Sequence, residues 1–343
     1  MRFQAAQILE AIAKVKATST NGKDVELYGM FCFRGGKVAT FDGLSGSVTS
    51  CDLGGMEFLV TAGKFWSILE NLPNPEFELT QVEGWIHISS GRFSTKLPTQ
   101  PHYDFPEIMP KDSNVYCKAG NIVQAIKSVS FTADKDDSRQ NAGVGFRGNY
   151  IYSLDGKRIT RATLDGSVAT PVVISKRAAD LLARQGAPSY LFLSESNLGA
   201  LYKETKLIFI TRLLNTQMPF DHLDLAFDHQ PPTVYRDVPQ DLLKVLERVM
   251  LMADKDESRI TLSCDGKKLT VATKEQELGS ATDSLDLELG HAFSVFVRAN
   301  SLKQVLRSMK PETIDFTDIV SGQKRMLRFK KDGCEHAMAL MVG

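Results

Sequence analysis

The chain has 343 residues, 43% of them hydrophobic and 24% charged, which favours two or three domains and excludes a largely disordered, collagen-like or disulfide-scaffold protein. Lysine plus arginine equal aspartate plus glutamate at 41 each, so bulk charge draws the chain toward neither nucleic acid nor an anionic membrane. Apolar runs such as Val249-Met250-Leu251-Met252-Ala253 fall far short of the roughly 18 to 20 residues that cross a bilayer, and Gln7 and Glu10 interrupt the start before an export signal forms, so a cytoplasmic protein without membrane partners is expected.

In chain order, Ile8, Leu9, Ile12 and Val15 fall at i, i+1, i+4 and i+7, one buried face of a helix. Asp42-Gly43 is a pair that tight hairpins prefer. Phe58-Leu59-Val60-Thr61 reads as a strand leading into a second helix with Phe65, Ile68 and Leu69 inward, and Glu76-Phe77-Glu78-Leu79-Thr80 as a strand after it. Phe93-Ser94-Thr95-Lys96-Leu97 follows, and Phe105-Pro106 marks an exit, with a boundary near Asp112.

The same order then recurs. Ile122, Val123, Ile126 and Val129 repeat the first helix, Asp155-Gly156 the hairpin, Val172-Val173-Ile174 the strand, and Ala178, Leu181 and Leu182 the second helix. Tyr190-Leu191-Phe192-Leu193 and Phe209-Ile210-Thr211-Arg212-Leu213 follow, then Met218-Pro219 and a boundary near Pro232. A third pass gives Leu242, Leu243, Leu246 and Val249, then Asp265-Gly266, Phe293-Ser294-Val295-Phe296-Val297, a helix with Leu302, Val305 and Leu306, and Thr313-Ile314-Asp315-Phe316. Ala133-Asp134-Lys135-Asp136-Asp137-Ser138-Arg139 returns 120 residues later as Ala253-Asp254-Lys255-Asp256-Glu257-Ser258-Arg259. The expected fold is therefore α+β, with three repeated domains over residues 1–112, 113–232 and 233–343.

Motifs for catalysis are sparse. Cys32, Cys51, Cys117, Cys264 and Cys334 form no Cys-x-x-Cys pair, and six histidines (His87, His102, His222, His229, His291, His336) form no metal-ligand cluster. Gly143-Val144-Gly145-Phe146-Arg147-Gly148 has the glycine spacing of a dinucleotide-binding turn, but Tyr150-Ile151-Tyr152-Ser153-Leu154 and the following Asp-Gly read as a strand entering a hairpin. There is no Walker loop and no Gly-x-Ser-x-Gly elbow. The acidic repeat segments read as solvated connections after a helix. No enzyme, cofactor or metal is expected.

Charge distribution says more. On the six helices Lys14, Lys16, Lys64, Lys127, Lys176, Arg177, Arg184, Lys244, Arg248, Lys303, Arg307 and Lys310 stand against Glu10, Glu70, Asp180, Asp241 and Glu247. If the helices share one surface, these cations form a track suited to phosphates rather than base edges.

The three-part organisation, with Ser90-Gly91-Arg92-Phe93 leading to Asp104-Phe105-Pro106, Asp155-Gly156-Lys157-Arg158-Ile159 and the 253–259 segment, resembles the bacterial β sliding clamp, the DNA polymerase III beta subunit, over nearly the whole chain. The resemblance implies clamp domains with helices on one side and antiparallel sheets on the other, closing head to tail into a homodimeric ring. Such a ring encircles double-stranded DNA without sequence preference, is opened by a clamp loader and tethers the replicative polymerase. It implies a dimer interface at Phe93, Leu251 and Met252. It also implies a partner-peptide pocket at Leu154, Gly156, Lys157, Arg158, Ile159, Met218, Pro219, Met338, Leu340 and Met341. Here Leu154 and Lys157 replace the family's threonine and histidine, Met218 precedes the linker proline in place of phenylalanine, and the tail lacks the family's proline and arginine. The short, neutral chain would suit a phage-encoded or divergent member, placed then in the host cytoplasm. The alternative is a repeat-built protein scaffold of the same fold that does not encircle DNA.

Overall fold

A computed structural model of the chain describes residues 1–20, 25–109, 112, 114–118, 120–134, 142–216, 218–227, 234–253, 258–273, 279–320 and 326–341. The 133–139 and 253–259 segments lie largely outside the described residues, as do Pro232 and His229.

Its helices are α1 (Ala5–Val15), α2 (Ala62–Glu70), α3 (Ile122–Val129), α4 (Lys176–Arg184), α5 (Phe220–Leu225), α6 (Leu242–Val249), α7 (Ala299–Ser308) and α8 (Thr317–Val320). The six long ones coincide with the six expected from periodicity; α5 and α8 are too short to carry a periodic signal. The buried face of α1 is Ile8, Ala11, Ile12 and Val15, that of α3 is Ile122, Ala125, Ile126 and Val129, and that of α6 is Leu242, Val245, Leu246 and Val249. The face therefore runs i, i+3, i+4, i+7, and Leu9, Val123 and Leu243, expected inside, are only half-buried. No side chain caps α1, α2, α6 or α7 at its N-terminus. Helices this short gain their stability from packing of that one face.

By contacts the chain forms two compact units. The first comprises Met1–Val123, Asp165–Ala169 and Arg177–Leu214; the second comprises Gln124–Leu164, Thr170–Lys176 and Asn215–Gly343. The first unit carries one antiparallel sheet of twelve strands. It runs in order through Arg2–Gln4, Glu76–Val82, Trp85–Ser90, Phe93–Gln100, Phe58–Thr61, Met30–Arg34, Lys37–Phe41, Ser45–Ser50, Leu207–Arg212, Asn197–Tyr202, Tyr190–Leu193 and Asn114–Cys117. The second unit carries a six-stranded sheet, Val144–Leu154, Arg158–Ile174, Cys334–Ala339, Met326–Lys331, Thr313–Asp315 and Tyr235–Asp237, and a four-stranded one, Thr282–Asp286, Lys268–Thr273, Arg259–Asp265 and Ala292–Arg298.

One join appears in both units. In the first, the strand after the Asp42-Gly43 turn pairs with a strand from the next repeat, with Ser45 opposite Thr211 and Gly46 opposite Ile210. In the second, the strand after Asp155-Gly156 pairs in the same way, with Arg158 opposite Met338 and Ile159 opposite Ala337. The second and third repeats thus each lend their last strand to the sheet of the repeat before.

The turns show why the hairpins form. Asp42 Oδ1 accepts from the amides of Leu44 and Ser45 at 3.0 and 2.7 Å. Asp155 Oδ1 accepts from Lys157 and Arg158 at 3.1 and 2.9 Å, and Asp265 Oδ1 from Lys267 and Lys268 at 2.9 and 2.8 Å. An aspartate at this position substitutes for the backbone acceptor of a turn. The third turn, however, is not the counterpart of the other two. Asp265-Gly266 joins the first two strands after its helix, the place that Gly35-Gly36 holds in the first repeat.

In the second repeat that place falls to Gly148, whose φ of +56° matches the +57° of Gly35, and Phe33-Arg34-Gly35 is echoed by Phe146-Arg147-Gly148. Phe220 touches both ends of Val144–Leu154: a Cβ on Gly145 would lie 2.8 Å from its ring, and the Tyr152 ring centroid lies 5.4 Å from its own. Seven residues of straight strand would separate those points by roughly 23 Å, so the strand bends sharply, at Gly148 with its left-handed φ. The glycine-rich motif therefore lies within a bent strand and is not a nucleotide turn.

Candidate functional site

Each unit carries part of the expected basic set. In the first, Lys14 bonds Glu10 at 2.9 Å, Lys16 lies 3.9 Å over the Trp66 ring, and Arg177 lies 3.0 Å from the carboxylate of Asp42. Lys64 and Arg184 are exposed. In the second, Lys244 bonds Asp241 at 2.8 Å, Arg248 bonds Asp283 at 2.6 Å, and Lys303 and Arg307 share Glu247, with Lys303 at 3.6 Å. Lys176 is half-buried, whereas Lys127 and Lys310 are exposed. The Arg307 hydrogen bond holds the Glu247 carboxyl below its ordinary range, and the Arg248 bond does the same for Asp283.

Among the described residues, at least six of the twelve cations thus have carboxylate partners. Counting helical residues alone missed Asp42 and Asp283, which come from a turn and a strand. Pairs exposed on both sides, such as Lys244–Asp241, contribute little and exchange readily for another anion, whereas the Asp42 carboxylate that holds Arg177 is only 3% exposed. Among the described residues Lys64, Lys127, Arg184 and Lys310 have no carboxylate partner.

The expected pocket residues all fall in the second unit. The hairpin and the tail strand come together through the pairing of Arg158 with Met338, and the Ala339 amide donates to the Lys157 carbonyl at 2.9 Å. The Met341 amide donates to the Phe296 carbonyl at 2.8 Å. Met218 packs on Gly145, where a Cβ would come within 2.4 Å of its sulfur and 2.8 Å of the Phe220 ring, so a side chain there would force the linker residues to shift. Gly156 and Lys157 are exposed, and Ile159, Pro219, Leu340 and Met341 are half-buried. Leu154, Met218 and Met338 are buried at 5%, 6% and 1% exposure, so they form the floor of any groove rather than its open wall.

Arg158 is engaged within the chain. Its guanidinium donates to Asp155 Oδ2 at 2.8 and 2.6 Å and to Gln304 Oε1 at 2.6 Å. The linker is held as well: Tyr152 donates to Asp224 at 2.7 Å, and Arg161 reaches Asp224 at 3.3 Å and Glu335 at 2.7 Å. Burial, then the bond to Asp224, pushes the Tyr152 phenol up. Sequence reading missed Gln304, Tyr152, Arg161 and Asp224, because their partners lie 63 to 174 residues away and no local pattern marks them.

Phe93, Leu251 and Met252 lie beside two open strand edges, one in each unit. Among the described residues, 93–98 pair only with Trp85–Ser90, and the strand gains a second neighbour at Thr99 and Gln100. Thr282–Asp286 is the edge of the four-stranded sheet. Leu251 is 82% exposed and Phe93 40%, so neither is a core residue. Met252 reaches Gly279 just before that edge, and Arg248 bonds Asp283 on it.

Among the described residues no group of His, Cys, Asp and Glu could hold a metal ion, and no helix is long and apolar enough to cross a membrane. All five cysteines are free and buried, and desolvation pushes Cys32 and Cys334 up to about 12. Those two thiols are therefore poor sources of a nucleophilic thiolate.

No family model matches the chain. It is 23% identical over 263 residues, 69% of both chains, to the β sliding clamp of Synechococcus elongatus. Its structure matches the DNA polymerase III beta subunit of Thermotoga maritima with a TM-score of 0.82 at 16% identity, covering 100% of this chain and 99% of that one. It matches the Pseudomonas aeruginosa sliding clamp bound to griselimycin with a TM-score of 0.84 at 18% identity and the same coverage. From end to end, the chain has the fold of the bacterial β sliding clamps.

Proposed function

We propose that this protein is a DNA sliding clamp, a homodimeric ring that encircles duplex DNA, slides without catalysis and tethers a replicative polymerase. The observation that carries the reading is the pair of open edges in a fold matched over the whole chain. Two of the three joins that the repeats call for are made within the chain, at Ser45–Thr211 and Arg158–Met338. The third would need residues 93–98 and Thr282–Asp286, which a second copy supplies head to tail. Contacts of that type close into rings, and closure removes exposed edges that otherwise invite aggregation.

The three domains are then residues 1–112, 113–232 and 233–343. Phe93, Leu251 and Met252 seal the interface, and the helix-borne lysines and arginines face phosphates. At least half of those cations already have carboxylate partners among the described residues, which suits mobility: each phosphate firmly neutralised strengthens salt-dependent binding and would slow sliding. A clamp loader opens the ring in the cytoplasm. The groove between the Asp155-Gly156 hairpin, the linker and the tail takes a short partner peptide through aliphatic and methionine contacts, and griselimycin, bound by the Pseudomonas neighbour, is its chemical probe. Tethering makes polymerase rebinding intramolecular.

The test is retention on closed circular DNA against the same DNA linearised, with loader supplied, at salt that suppresses electrostatic binding. Retention on circles and loss from free ends is expected. Equal loss from both, with loading demonstrated, refutes encirclement and favours the scaffold alternative.

A further inference from the structure

Arg158 lies in the pocket hairpin, yet its guanidinium is spent inside the protein. Its side chain is 11% exposed and donates twice to Asp155 and once, at 2.6 Å, to Gln304 Oε1. Gln304 Nε2 in turn donates to the Phe131 carbonyl at 3.1 Å, just beyond the end of α3. A guanidinium has only donors and a carbonyl only accepts, so a group bridging them must do both. A primary amide does so with one side chain. Gln304 also stands on α7 between Lys303 and Arg307, which hold Glu247.

We propose that Gln304 is a positioning residue for the partner pocket: it fixes Arg158, and through it the Asp155-Gly156 hairpin, from a helix that carries the cations assigned to DNA. The inference rests on the pocket reading given above. Arg158 shapes the groove wall and is not free to bind a partner carboxylate. Loss of the amide strands a charged donor at low exposure, and bonds to charged groups are the costly ones to leave unmade. The hairpin then swings, and the tail strand that pairs with it at Met338 and Ala339 loosens with it.

The experiment uses the intact dimer, with griselimycin titrated calorimetrically into wild type, Gln304→Leu, Gln304→Glu and Met341→Asp, and with amide exchange measured without ligand. Gln304→Leu is expected to weaken griselimycin about tenfold and to speed exchange at Lys157, Arg158 and Ala339. The Met309 amide, bonded within α7 to the Val305 carbonyl, should not change. Gln304→Glu, which keeps the acceptor for Arg158 but loses the donor to the Phe131 carbonyl, should restore the affinity only in part. Unchanged exchange at the hairpin in Gln304→Leu overturns the proposal whatever the affinity. Failure of the pocket reading shows separately, as Met341→Asp binding griselimycin as tightly as wild type.

Discussion

His336 illustrates how a single side chain here answers to burial before anything else. The ring is fully buried, stacked on Phe131 at 5.5 Å, and its Nδ1 shares a 2.8 Å bond with Thr160. Burial, reinforced by the charge of Arg158, pushes its pKa from the ordinary 6.5 down to about 3. The native state therefore refuses a proton that the unfolded chain accepts. That stability is intact above pH 6.5 and drains away as pH falls from 6.5 toward 3, with a slope approaching about 1.4 kcal/mol per pH unit. Urea midpoints at pH 7, 6 and 5 should fall steeply for wild type and more shallowly for His336→Gln. At this scale the sequence was least legible: the six histidines looked alike, and nothing local distinguished the one that packs under the pocket hairpin.

Elements were far more legible, because periodicity reports burial directly. Ile12, Ile126 and Leu246 sit at the same place on α1, α3 and α6, and each is 0% exposed. With no side-chain cap and only eight residues, α6 leans on this face. Leu246→Ala should cost about 2 to 5 kcal/mol, read as a drop in the denaturant midpoint, whereas Leu243→Ala on the half-buried position should cost markedly less. The i+3 positions of α1 and α3 escaped notice because alanine, at Ala11 and Ala125, carries a weak hydrophobic signal. The hairpin equivalence failed for a related reason: Asp-Gly marks a turn without saying which turn, and only strand order placed Asp265-Gly266 one hairpin earlier than expected.

For the whole molecule, the repeat order was visible in the sequence, whereas the strand exchange between repeats was not, since pairing at a separation of 166 residues, as between Ser45 and Thr211, leaves no local trace. That exchange makes the assembly testable. Leu251→Asp, at an apolar side chain 82% exposed in the chain alone, should leave the fold intact by circular dichroism and shift sedimentation from dimer to monomer. Charge reversal at Lys64 and Arg184, which have no carboxylate partner among the described residues, should weaken direct binding to linear duplex at low salt with little change in thermal stability. Unaltered low-salt affinity would remove these two cations from the DNA-facing set.

Because the repeats hand their last strands back to the preceding repeat in one direction, the protein has a polarity, with an edge that gives and an edge that takes. A ring built on that polarity leaves DNA when a seam unzips, not when phosphate contacts fail. In the ring proposed above, lifetime on DNA would be set by backbone hydrogen bonds between residues 93–98 and Thr282–Asp286, and added salt should leave it nearly untouched.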